Sequence, residues 1–298
     1  MMRMKLSKSL IALALALFAG APKTAAAAAT PDAALSALRG ESGRLRAVIA
    51  RAGSETERML ERLFPNALLA HAARVPGLYD LGSPASDGDP LVLLSLVPFE
   101  AKRGSMLHGY HLGRWPQETR GGSRNEYAPP DGFVEVTREA ARMRVSPHFR
   151  LGDFVTHDQA DVWPKYVALR TPLIDKLELV GAALQAAGKA DSLRVMSGFR
   201  TPAYNARGVR PGGGRAADSR HMYGDASDIF VDADGDGRMD DLDGDGRVTV
   251  DDAHWLAGLI ERVEIQHPDL VGGLSAYPAT SEHGPFVHTD VRGRAARW

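Results

Sequence analysis

Two short segments carry the side chains that a metal ion needs. Ser219-Arg220-His221-Met222-Tyr223-Gly224-Asp225-Ala226-Ser227-Asp228 supplies one imidazole and a carboxylate, and Phe286-Val287-His288-Thr289-Asp290 supplies a second imidazole. His221, Asp228 and His288 make three protein ligands for Zn2+. Three ligands leave a fourth position for water, the pattern of a catalytic rather than a closed structural site. The chemistry expected is hydrolysis by metal-activated water. A two-histidine, one-carboxylate iron oxygenase uses the same ligand types. Such enzymes bring a His-x-Asp pair first and a distal histidine later, whereas His288-x-Asp290 here comes last.

Local elements must bring these groups together. Gly224 breaks the chain after His221, so that imidazole is expected in a turn. Ala226 to Val231 reads as a strand, with Ala226, Asp228 and Phe230 on one face. Phe286, His288 and Asp290 share a face of a second short strand. If the two strands are neighbours, Asp228 and His288 converge across about 5 Å, the interstrand spacing. Upstream, Val167 to Ala187 reads as an amphipathic helix with Leu169, Leu173, Ile174, Leu177, Leu179 and Val180 on its apolar side, ended by Gly188. Leu193 to Met196 reads as a strand running into Ser197-Gly198-Phe199-Arg200-Thr201-Pro202, followed by a loop from Arg207 to Ala217 rich in glycine and arginine.

The ordered set Ser-x-His-x-x-Gly-x-Ala-x-Asp and Phe-Val-His-x-Asp resembles the D-alanyl-D-alanine carboxypeptidase family of zinc peptidases. It is most similar to the branch of peptidoglycan endopeptidases that ends in Arg-x-x-Arg-Trp-like tails; this chain ends Arg292-Gly293-Arg294-Ala295-Ala296-Arg297-Trp298. Ser197-Gly198-Phe199-Arg200-Thr201-Pro202-Ala203-Tyr204-Asn205 and Ser146-Pro147-His148-Phe149-Arg150-Leu151-Gly152-Asp153-Phe154 also resemble elements of that family, so the likeness spans residues 146–298. It implies zinc on His221, Asp228 and His288, a catalytic Arg200 that grips a substrate carboxylate or carbonyl, and peptidoglycan stem peptides as substrate. An arginine fork suits a carboxylate or a developing oxyanion; an internal salt bridge is the structural alternative.

A zinc peptidase also needs a group that takes the proton from the bound water. In several relatives an acid stands three residues before the last histidine, where this chain has Pro285. Asp290 is the candidate catalytic base, or else a carboxylate that orients a ligand imidazole; Glu282 and His283 are the other candidates. The expected activity is that of a zinc metallopeptidase, a D,D-carboxypeptidase or cross-link endopeptidase. The alternative is a non-catalytic zinc-containing cell-wall-binding module of the same fold.

Between the two ligand strands lies an acidic insertion, 232–252. Its spacing fits a calcium-loop pattern twice. One loop uses Asp232, Asp234, Asp236, the Arg238 carbonyl, Asp240 and Asp243, with Gly237 at the turn. The second uses Asp241, Asp243, Asp245, the Arg247 carbonyl, Thr249 and Asp252, with Gly246 at the turn. The two frames overlap at Asp241–Asp243. Ala253 to Val263 reads as an exiting helix, as in the loop-helix units of dockerin modules, which this stretch resembles. The expected second cofactor is Ca2+; the alternative is a merely solvated acidic loop.

The remaining sequence is read more coarsely. A basic start, an apolar run from Leu10 to Phe18 and an Ala-rich exit read as a secretory signal peptide over 1–29, so the protein is expected in the periplasm or secreted, with no membrane anchor in its mature form. The chain has no cysteine, hence neither disulfide staples nor a lipidated cysteine. Loss of Arg3, Lys5, Lys8 and Lys23 with that segment takes the formal charge from −1 to −5, and nothing in this balance points to nucleic acid. Residues 31–75 read as helical, with Leu35, Leu38, Leu45, Val48 and Ile49 and then Met59, Leu60, Leu63 and Phe64 as apolar positions. Residues 76–88 read as a loop. Leu91 to Val97 and Tyr127 to Val136 suggest a small β-rich module. The expected class is α+β: a helical segment and linker (30–87), a small β-rich module (88–145), and a domain (146–298) in which a small antiparallel sheet with flanking helices holds the zinc site.

Overall fold

The computed structural model describes residues 37–63, 75–82, 90–120, 127–211 and 214–298. The signal-peptide reading of 1–29 lies outside these residues, as do Leu35 and Phe64. In chain order the elements are β1 (Ala47–Ala50), α1 (Glu55–Leu63), β2 (Gly77–Asp80), β3 (Val92–Ser95), β4 (Val97–Pro98), β5 (Met106–Leu107), β6 (Tyr110–His111) and α2 (Pro116–Arg120). Then follow β7 (Gly132–Val136), β8 (Lys165–Val167), α3 (Thr171–Ala186), β9 (Leu193–Ser197), α4 (Pro202–Ala206), β10 (Ala226–Val231), α5 (Val250–Gln266), β11 (Gly273–Tyr277), β12 (Phe286–Asp290) and β13 (Ala296–Arg297). Helices and several small sheets are mixed along the chain. Among the described residues, no helix is long and apolar enough to cross a membrane.

The sheet that matters for the site has the order β13-β11-β12-β10-β9. Its β9, β10, β12 and β11 pair antiparallel, and β13 adds in parallel at the edge. Val, Ile and Phe alternate with small polar residues along its central strands, and β10 and β12 are buried on both faces for nearly their whole length. β10 and β12 are in register with Asp228 opposite His288. β9 and β10 slip at the site: Asp228 faces Ser197 but Ile229 faces Val195, which leaves Met196 as an extra residue. Such bulges kink a strand and re-aim side chains next to functional sites.

Two helices back this sheet. α3 carries a proline in its first turn, where the missing N–H costs nothing, and ends at Gly188 with φ +74°. It buries Leu173, Ile174, Leu177, Val180 and Leu184. α5 starts at Thr249, whose side chain accepts from Asp251 N while Asp252 reaches back to the Thr249 N–H. This reciprocal cap satisfies donors a helix start leaves open. α5 packs against α3, β11 and β12.

Two expectations are corrected. Residues 47–50, read as helix, form β1, which pairs in parallel with β3; β2 closes the other side of β3. The run Ala47-Val48-Ile49-Ala50 is β-branched at its centre, and pairing with the buried Val92–Ser95 strand overrides its helical spacing. The segment 30–87 is therefore partly a sheet, with α1 packed on one face through Leu60. The expected boundary at 145/146 also cuts a sheet, because β8 lies beyond it yet pairs with β7, which pairs with β4. Leu94, Trp115 and Phe133 share one core with Phe199, Met222 and Val287. The β-rich module and the ligand-bearing strands thus share a single interior.

Candidate metal centre

His221 sits in a short 3-10 turn, Arg220–Tyr223, that ends at Gly224 in the left-handed conformation, φ +72°. A side chain at 224 would run into the Ala168 backbone, so glycine is required both for the turn and for its seat. Two further bonds fix the turn. Arg200 N donates to His221 O at 3.2 Å, and the buried Trp115 donates its Nε1–H to Met222 O at 2.9 Å.

The three expected ligands meet. His221 Nε2 lies 3.1 Å from Asp228 Oδ1 and 3.1 Å from His288 Nδ1, and His288 Nδ1 lies 3.0 Å from Asp228 Oδ1. All three residues are buried. The outer edges of both rings are spoken for: His221 Nδ1 is 2.7 Å from Gly198 O, and His288 Nε2 is 3.3 Å from Asp290 Oδ2. Both outer partners are acceptors, so the outer nitrogens carry the protons and the inner nitrogens present lone pairs. With the Asp228 carboxylate this makes three acceptors facing one point. A cation answers that arrangement. Ligands at about 2.0–2.1 Å around tetrahedral zinc stand roughly 3.3 Å apart, close to the separations found here. The donor set, two imidazoles and one carboxylate oxygen, fits such an ion.

The electrostatics agree at His221 and Asp228, whereas the two carboxylates beside His288 favour its protonated form. Burial pushes the His221 imidazole below its ordinary pKa, keeping it neutral as a ligand must be. Burial alone would raise the Asp228 carboxyl, but His221 and Arg200 beside it hold it well below the carboxylate range. For His288, burial works downward and is outweighed by the hydrogen bonds to Asp228 and Asp290, which raise it.

Arg200 is brought to the site, but onto a ligand. Its Nη2 donates to Asp228 Oδ2, and its Nε donates to Ser197 Oγ at 2.9 Å. It therefore neutralises the outer oxygen of the carboxylate whose inner oxygen faces the triad. Asp290 stands behind His288. Its carboxylate also accepts from Gly273 N at 2.7 Å and from the Arg292 guanidinium. Burial would raise it, but His288 and Arg292 hold it far down. These contacts are those of a carboxylate that orients an imidazole, the second of the two roles expected for Asp290. Gly272 and Gly273 make room for this carboxylate, since a side-chain carbon at either position would collide with Asp290. Among the described residues, no hydrogen bond or ring contact joins Glu282 or His283 to the triad; His283 instead sets its ring edge against Phe286, centroids 5.0 Å apart.

Several groups at the site were not singled out from the sequence. The half-exposed Trp298 ring lies 5.4 Å from His288, and its Nε1 donates to Tyr277 Oη at 2.6 Å. Arg292 lies over the Trp298 ring at 5.5 Å. The fully buried Lys176 of α3 donates to Glu264 Oε1 at 2.6 Å and to Asp290 O at 2.8 Å, tying both backing helices to the end of β12. Only the arginine-tryptophan tail gave a sequence signal for any of these.

The acidic insertion forms two turns of the same shape. Gly235 N donates to Asp232 Oδ1 and Gly244 N to Asp241 Oδ1, each at 2.7 Å; Arg238 N donates to Asp236 Oδ1 and Arg247 N to Asp245 Oδ1, each at 2.8 Å. Carboxylate oxygens of Asp232, Asp234 and Asp240 gather within 4.8 Å of one another, and those of Asp241, Asp243 and Asp252 do the same. The expected overlap is corrected here. Asp243 belongs to the second group, and the division falls between Asp240 and Asp241. Asp236 and Asp245 cap backbone N–H groups outside both groups, and Thr249 caps α5.

No family model, no curated protein and no solved structure matches this chain at a significant level.

Proposed function

We propose that this chain is a zinc metallopeptidase that hydrolyses peptide bonds in peptidoglycan, as a D,D-carboxypeptidase or cross-link endopeptidase. One observation carries the reading: three inward-facing acceptors at 3.0–3.1 Å, each braced from behind. Zinc held there supplies a Lewis acid and a water of lowered pKa. The protein's own residues do the rest. Gly198 O and Asp290 fix which nitrogen of each imidazole faces inward. Arg200 holds the Asp228 carboxylate ionised and, with one guanidinium nitrogen still unengaged among the described residues, stands ready for a substrate carbonyl or carboxylate. The motif order of residues 146–298 supplies the substrate class, and the basic-apolar N-terminal segment supplies a periplasmic or secreted location. Ca2+ bound by the two carboxylate groups of 232–252 steadies the segment between β10 and α5.

A second reading is a zinc-containing cell-wall-binding module without catalysis. It is favoured by Pro285 standing where relatives carry an acid, and by the full engagement of Asp290 with His288, Gly273 and Arg292. Purified sacculi incubated with the zinc-loaded protein, then analysed for released muropeptides by mass spectrometry, separate the two. New stem-peptide fragments that disappear with His288→Ala support the peptidase; intact sacculi with zinc bound support the binding module.

A further inference from the structure

On the β9 side of the metal centre a cationic wall is built. Phe199 N donates to Phe154 O at 2.9 Å, which lays the segment after Phe154 along the end of β9. Burial first, and then the charges of Arg200 and Arg215, push the His157 imidazole of that segment below its ordinary pKa. Arg200 is bonded to Asp228, and Thr201, the next residue, anchors the tyrosine to which Arg215 donates.

Arg215 is held in place rather than left to solvent. Its Nη1 donates to Tyr204 O at 2.7 Å, and its guanidinium lies 4.2 Å from the centre of the Tyr204 ring. Its aliphatic stem crosses Gly208, where a side-chain carbon would collide with it. Asn205 Nδ2 donates to Ala216 O at 2.9 Å and pins the next residue. Tyr204 is fixed in turn by its N–H to Thr201 Oγ1 at 3.0 Å, directly after Arg200. Holding an arginine this way removes most of the rotamer freedom that weakens surface charge pairs. With Nη1 engaged, Nε and Nη2 have no partner among the described residues. Those two share one edge of the guanidinium, the edge that receives a carboxylate through two parallel hydrogen bonds. Asp158 is paired with Arg207 at 3.7 Å.

We propose that Arg215, seated on Tyr204, docks a carboxylate of the substrate peptide on the β9 side of the bond presented to the metal centre. This rests on the peptidase reading above, and it names Arg215 as a specificity-determining residue.

The test uses the full chain loaded with zinc, its metal content measured first. The probes are a stem pentapeptide, N-acetyl-L-alanyl-γ-D-glutamyl-L-lysyl-D-alanyl-D-alanine, and two twins in which either the glutamyl carboxylate or the C-terminal carboxylate is an amide. Calorimetric titration of the wild type should show one twin binding about ten- to a hundred-fold more weakly than the diacid. Arg215→Gln should abolish that preference with zinc stoichiometry and melting temperature unchanged, and Arg207→Gln should keep it. Gly208→Ala, which displaces the Arg215 stem without removing charge, should weaken the preference in the same direction. An undiminished preference in Arg215→Gln overturns the proposal, as does equal binding or no binding of all three peptides by the zinc-loaded wild type. A wild type that takes up no zinc instead overturns the metal-site reading, in a measurement made before any peptide is added.

Discussion

Asp290 grips the far edge of His288: its Oδ2 lies 3.3 Å from Nε2, while Nδ1 on the opposite side of the same ring faces Asp228 at 3.0 Å. A carboxylate so placed fixes the tautomer and raises the basicity of a ligand imidazole. Asp290→Asn should therefore weaken zinc binding by about 10- to 100-fold, read by competition with a chromophoric chelator. A base acting on bound water would behave differently, with activity lost and zinc affinity kept.

Trp298 offers an optical report on the same ring. Its indole is 5.4 Å from His288, whereas the other three tryptophans make no ring contact with the triad. Cobalt or copper added to the metal-free protein should quench part of the tryptophan emission. Trp298→Phe should remove most of the metal-sensitive fraction while leaving metal stoichiometry intact. Equal quenching in the variant would show that the metal binds elsewhere.

Lys176 tests the support behind β12. Its ammonium is fully buried against Glu264 and the Asp290 carbonyl. Removing one member of a buried pair costs about 3–5 kcal/mol where the other is left uncompensated. Glu264 keeps Arg297 and the Gly272 N–H, so Lys176→Ala should lose less stability than that in urea denaturation. The loss should shrink when Glu264 is replaced by Gln in the same chain, because the stranded charge is then gone.

Three tyrosines set an alkaline limit. Burial, first among the causes, raises Tyr110, Tyr166 and Tyr223, with Tyr223 pushed up to about 12 and Tyr166 helped by its hydrogen bond to Glu135. Unfolded tyrosines ionise near pH ~10. Above that pH the unfolded chain holds fewer protons than the folded one, so stability falls as pH rises. Stability should be flat up to roughly pH 9 and decline between about pH 10 and 12. The share of tyrosinate absorbance owed to these three of the seven tyrosines should then appear in step with loss of structure rather than before it.

Calcium should raise the melting temperature of the metal-free protein, since an ion that binds only the folded state stabilises it by mass action. Asp252 sits in the second carboxylate group and also accepts from Leu242 N at 2.6 Å and Thr249 N at 2.8 Å. Asp252→Ala should lower the melting temperature without calcium, through the lost helix cap, and should also blunt the calcium-dependent rise. A rise of full size in Asp252→Ala would remove the second turn as a binding site.

What the sequence revealed of this fold depended on the range of the interaction. β10, β12 and α3 were legible because each repeats its own period: alternation around Asp228 and His288, and three-four spacing from Leu173 to Val180. Residues 47–50 read as helix because Leu45, Val48 and Ile49 satisfy a helical spacing, while the partner that makes Ala47–Ala50 a strand, Val92–Ser95, is far away in the chain. The triad could be named from residue types, but its bracing could not. Nothing local links Lys176 to Asp290, or Trp298 to His288. These contacts exist only once the strands are laid side by side. Calcium-loop spacing was likewise visible, but the split between Asp240 and Asp241 came only with the backbone turns.

The pair of glycines at the start of β11, Gly272 and Gly273, has a consequence for how this protein tolerates change. Neither residue carries a functional group, yet a side chain at Gly273 would press on the Asp290 carboxylate, and through it on the angle of the His288 ring, and one at Gly272 would drive into the Asp290 backbone carbonyl. Alanine at Gly273 should loosen the ion while leaving every coordinating atom in the chain, and alanine at Gly272 should displace the end of β12 itself. In a saturation scan read out by metal retention, these two glycines would stand beside the histidines. The footprint of the site along the sequence is therefore wider than its chemistry.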